Sequence, residues 1–127
     1  AKAWSTAGQH VCEGCQMFKI SNPGTEDSVE NREYNFAYAQ FKRMMLGRED
    51  ELPITSIDVY DNPNLERRYR RNIESFKEAG VPTSERWVFH GTDPKNVKQI
   101  MSSGLKIGGL ETKMMNGSVH GHGIYTS

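Results

Sequence analysis

The chain has 127 residues, enough for one domain to bury a core without disulfide or metal staples. Hydrophobic residues make up 35% and charged residues 25%, and 16 basic side chains cancel 16 acidic ones. Composition therefore predicts a folded, soluble chain with no charge-driven pull toward nucleic acid or an anionic membrane. No apolar run approaches the ~20 residues of a membrane span. The opening AKAWSTAGQH lacks the apolar core of a signal peptide, so a cytosolic or nuclear location is expected.

In chain order, residues 1–30 read as a loop-rich segment of unassigned role, with QMFKI (16–20) a short strand and SNPGTEDS (21–28) a turn cluster. Its HVCEGC stretch sets His10, Cys12 and Cys15 within six residues. These are three soft-metal ligands, but structural zinc takes four, and a second ligand pair is missing. No bound metal is expected. A reduced surface pair or a redox-active pair is the alternative, and no βαβ context supports the latter.

From residue 31, NREYNFAYAQFKRMML spaces Tyr34, Tyr38, Phe41 and Met45 on one helical stripe, read as core. Asp27 with Glu30 resembles a capping box at its start, and Gly47 is the candidate stop. LPITSIDVY (52–60) alternates as a strand. The next stretch predicts a helix capped by Asn62, opened by Pro63 and ended by Gly80. Leu65, Tyr69, Ile73 and Phe76 are its buried face. Were Tyr69 as buried as a core phenylalanine, its truncation would cost ~3–5 kcal/mol. Arg67, Arg68, Arg70 and Arg71 read as a solvated face, since Glu66, Glu74 and Glu78 share the helix.

RWVFH (86–90) predicts a half-buried strand, with Trp87 and Phe89 on one side and Val88 and His90 on the other. Asp93 and Pro94 start a short helix with Val97, Ile100 and Met101 inward, and Gly104 stops it. A glycine-rich loop follows, and GIYTS (123–127) opens a last strand. Helices early and strands gathering late suggest an α+β domain. Glycines beside His90 and before Tyr125 leave the backbone open to a flat ligand. Gly91 can offer its N–H and C=O to a carboxamide, His90 can bond a ribose hydroxyl, and the Tyr125 ring can stack on a heterocycle. The plain alternative is two ordinary strands whose glycines only make turns.

FHGTDPKNVKQIMSSGL followed by GHGIYTS resembles the first half of the catalytic domain of the poly(ADP-ribose) polymerases, the diphtheria-toxin-like ADP-ribosyltransferases. Upstream, ITSIDVYDNPNLERRYRRNIESF is similar to that family's strand-then-helix lead-in, with Asn62, Leu65 and Tyr69 at matching places, and EYNFAYAQF to its preceding helix. The resemblance spans residues 31–127. It implies an α+β ADP-ribosyltransferase-like fold, a mixed sheet with flanking helices, incomplete at the C-terminus.

The implied activity is transfer of ADP-ribose from NAD⁺ to a protein or nucleic-acid acceptor. His90 would hold the adenosine-side ribose, Gly91 the nicotinamide carboxamide, and Tyr125 one stacking face, with Thr92 also at the NAD⁺ site and residues 104–123 over the donor. The family's later glutamate, its carboxamide-bonding serine and its second stacking tyrosine have no counterpart here. Ser127 lies too early for that serine. A cut chain, a second polypeptide completing the site, or an inactive relative would each account for this.

His120 and His122 read as exposed loop histidines, with contact to a diphosphate as the alternative. NGS (116–118) fits a glycosylation acceptor but is discounted without a secretory signal. Two rivals to the transferase reading remain: an inactive transferase-like binding module, and a small zinc-stabilised interaction domain built on His10, Cys12 and Cys15.

Overall fold

The computed structural model describes residues 4–21 and 23–106. The chain divides into two units, residues 1–61 and 62–127.

In the first unit, β1 (Gln9–Cys12) and β2 (Cys15–Ile20) form a hairpin about Glu13 and Gly14, the glycine at φ 79. A left-handed φ is the conformation that glycine adopts without a Cβ clash. β2 then pairs antiparallel with β3 (Ile57–Asp61), giving a three-stranded sheet in the order β1-β2-β3. β2 is the strand expected at QMFKI, and β1 is a second strand in a stretch otherwise expected to be loop-rich. β3 is shorter than the 52–60 strand expected. Its ladder runs from Gln16 opposite Asp61 to Ile20 opposite Ile57, where β2 ends. Residues 52–56 have no ladder partner among the described residues, and Pro53 has no N–H to give one.

α1 (Val29–Met45) is capped by Ser28, whose hydroxyl accepts from the Asn31 amide at 3.2 Å. The expected Asp27–Glu30 capping box does not form. Asp27 instead pairs with Arg32 at 2.6 Å, and Glu30 turns toward Ser5 and Thr6. Leu46 (φ 53) and Gly47 (φ 86) end the helix. Cys15, Phe18, Ile20 and Val29 form the core of this unit, with Trp4 stacked on Phe18 at a centroid distance of 3.9 Å. Asn31 is buried with them. Its Oδ1 accepts from the Gly24 amide at 2.8 Å and its Nδ2 donates to the Glu26 carbonyl at 2.6 Å. Both bonds satisfy the buried Asn31 carboxamide, which would otherwise lose its water partners without replacement. The stripe read as core is only half-buried: Tyr34, Phe41 and Met45 are intermediate and Tyr38 is exposed. A 3-10 turn at Glu49–Glu51 follows.

In the second unit, α2 (Pro63–Glu78) has the expected ends. Asn62 Oδ1 accepts from the Leu65 amide at 3.2 Å, Pro63 sits in the first turn, and Gly80 takes φ 75. Its apolar face is not buried as expected, for Tyr69 is 48% and Phe76 51% exposed. A 3-10 turn at Pro94–Asn96 leads into α3 (Val97–Ser103), which Gly104 ends at φ 90. The fold is α+β.

Candidate functional site

The segment carrying His90, Gly91 and Thr92 is held at both ends within the second unit. Upstream, the Tyr69 hydroxyl of α2 donates to the Glu85 carboxylate at 2.7 Å. That bond stabilises the protonated phenol and, as the largest cause, raises the Tyr69 pKa above its ordinary value. Downstream, Asp93 caps the turn at Pro94, its carboxylate accepting from the Lys95 amide at 3.1 Å. Asn96 Nδ2 donates to the Thr92 hydroxyl at 3.2 Å, which ties Thr92 to the same turn.

α2 also grips the far end of α3. Asn62 Nδ2 donates to the carbonyls of Met101 at 2.8 Å and Ser102 at 3.1 Å, and Arg68 donates to Ser103 at 3.3 Å. These are C-terminal carbonyls that a helix leaves without intrahelical partners. Gly104 follows closely against α2, since a Cβ there would meet Leu65 Cδ2 at 3.6 Å.

Between these anchors, residues 86–90 form no strand, contrary to the RWVFH expectation. A strand exists only where its N–H and C=O groups meet a partner ladder, and among the described residues this segment has no ladder pairing. Trp87 is 71% exposed and Val88 45%, while Phe89 is half-buried. His90, Gly91 and Thr92 are all exposed. Around Gly91 a Cβ would meet nothing within 4 Å.

Tyr125, the other pocket residue expected from the sequence, lies outside the described residues, as do GIYTS, His120, His122, the NGS tripeptide and residues 107–123 of the expected donor loop. The arginines of α2 are exposed as read. Arg70 pairs with Glu66 at 4.0 Å and Arg67 bonds Asn64, but Arg68 has the structural task at α3 described above. Sequence reading missed that task, the second role of Asn62 and the Tyr69–Glu85 anchor. All three are contacts across 16 to 40 residues, for which no local pattern exists. The Thr92–Asn96 bond is the exception, because its four-residue spacing at a helix start is visible locally.

His10, Cys12 and Cys15 do not gather. The ladder pairs His10 with Gln16 and Cys12 with Cys15, so Val11 is an extra residue between them. Residues directly opposite in an antiparallel ladder share a face, and Cys15 and Gln16 are neighbours on opposite faces. The bulge thus turns His10 away from both thiols. Among the described residues no group of three His, Cys, Asp or Glu side chains could hold a metal ion.

The family model of the poly(ADP-ribose) polymerase catalytic domain matches residues 31–127, and the chain belongs to that family of ADP-ribosyltransferases. No curated protein and no solved structure matches the chain.

Proposed function

We propose that the protein transfers ADP-ribose from NAD⁺ to a protein or nucleic-acid acceptor, with His90, Gly91 and Thr92 on the donor's path. Family membership over residues 31–127 is the observation that carries this reading. The local geometry fits it. A Gly91 Cβ would meet nothing within 4 Å, and His90 is exposed and of a chemistry that can bond a ribose hydroxyl. NAD⁺ itself supplies the chemistry, a glycosidic bond to nicotinamide whose loss leaves an electrophilic sugar. What this chain contributes is orientation. A segment pinned at Glu85 and Asp93 holds the donor's hydroxyl and amide partners in place before reaction. Tyr125 is proposed as the stacking wall. Single versus repeated transfer is left to the assay products.

Transfer of label from NAD⁺, with and without a nicotinamide analogue, tests the reading. This chain carries only part of the site, so in the protein with its catalytic domain complete, His90→Ala is expected to abolish most turnover while circular dichroism stays unchanged. Turnover equal to the parent would remove His90 from the site. Tyr125→Ala should weaken the analogue by ~1–3 kcal/mol, the scale of base–aromatic stacking. No label transfer together with a melting temperature indifferent to the analogue would favour an inactive binding module.

A further inference from the structure

We propose that Cys12 and Cys15 form a thiol–disulfide exchange site, Cys12 as the attacking thiol and Cys15 as the resolving one, taking a low-molecular-weight disulfide such as glutathione disulfide as oxidant. The two residues are directly opposite each other where β1 and β2 meet at the Glu13–Gly14 turn. Opposed residues of an antiparallel ladder have Cα atoms ~4.5–5.5 Å apart. That separation falls within the ~4.4–6.8 Å that a disulfide spans. The register therefore sets the two residues at a Cα spacing that a disulfide can span.

The two thiols differ in a way that orders the steps. Cys12 is partly accessible, with its Sγ 3.7 Å from the Glu13 carbonyl. Cys15 is 1% exposed. Burial above all, then Cys12 and Asp61, pushes the Cys15 thiol above its ordinary pKa. A buried, weakly acidic thiol is a poor first nucleophile but needs only its neighbour's sulfur to react. The Cys12 thiolate attacks one sulfur of the oxidant, forming a mixed disulfide and releasing one glutathione thiolate. Cys15 then attacks the Cys12 sulfur, gives up its proton and displaces the second glutathione. Two protein thiols are oxidised and one disulfide is reduced to two thiols, so electrons and protons balance. Any thiol reductant reverses the exchange. The βαβ setting of the familiar redox motif is absent, but a hairpin register supplies the same proximity.

Stoichiometric phenylarsine oxide, which bridges two close thiols, should protect both cysteines of the reduced chain from alkylation. Glutathione disulfide should then give a protein lacking two hydrogens, with a Cys12–Cys15 crosslink in its peptides that a reductant removes. Cys15→Ser should stop at a glutathione adduct on Cys12, and Cys12→Ser should stay unmodified. The proposal is overturned if the arsenical protects neither thiol, if the parent accumulates the adduct or crosslinks between chains instead, or if Cys12→Ser is modified as fast as Cys15→Ser. Stoichiometric zinc on the reduced chain that blocks oxidation would overturn it too.

Discussion

Two single residues hold more than their local motifs announce. Asn62 caps α2 with its oxygen and binds the Met101 and Ser102 carbonyls with its nitrogen. Asn62→Ser keeps a capping oxygen but cannot reach α3, and should cost ~0.5–1.5 kcal/mol in urea unfolding, the net worth of a hydrogen bond. Asn62→Ala loses the cap as well, for a further ~1 kcal/mol. A serine variant as stable as the parent would show that the bonds to α3 contribute nothing. Glu30 is the second such residue. Hydrogen bonding by Ser5 chiefly, aided by the amides of Glu30, Ser5 and Thr6 and opposed by burial, brings its carboxyl down to about 2. A folded-state pKa below the unfolded one contributes stability above the unfolded value of ~4.3, and that contribution is lost as pH falls toward 2. The parent should therefore melt above Glu30→Gln at pH 6, and the gap should close on titration to pH 2. A gap independent of pH would refute this.

At the level of elements, periodicity found the helices well and their surroundings poorly. α2 begins and ends where its asparagine, proline and glycine put it, because caps act through backbone within one turn. Its apolar stripe is also real, yet Tyr69 and Phe76 are about half-exposed. Tyr69→Ala should therefore cost ~1 kcal/mol from lost burial, half the value of a fully buried ring, not the core-phenylalanine cost expected from the stripe. Tyr69→Phe isolates the hydroxyl bond to Glu85. A loss from Tyr69→Ala as large as for a core ring, read by urea unfolding, would contradict the observed exposure. The hairpin of β1 and β2 was half-visible. QMFKI alternates, but QHVC carries a bulge that spoils its period, and register rather than composition makes it a strand.

On the scale of the whole molecule, charge balance and family membership say one thing and surface another. The family model covers residues 31–127. No described helix is long and apolar enough to cross a membrane. Yet the second unit leaves Trp87, Phe76, Tyr69, Val81 and Val88 exposed. The 127-residue chain should enhance anilinonaphthalene sulfonate fluorescence, and Trp87→Ser should reduce the effect. Dye emission no higher than with a well-packed control protein would mean that these side chains are covered in solution.

Local chemistry settled what could be settled locally. The 3.6-residue period marked α1, and caps and turn residues marked α2 and the turn into α3. Pairing and burial belonged to tertiary structure. It made a strand of residues 9–12, denied one to residues 86–90, turned His10 away from the two thiols and brought Asn62 to α3. A ladder or a covered face needs a second segment far along the chain, and no single stretch encodes where that segment will lie.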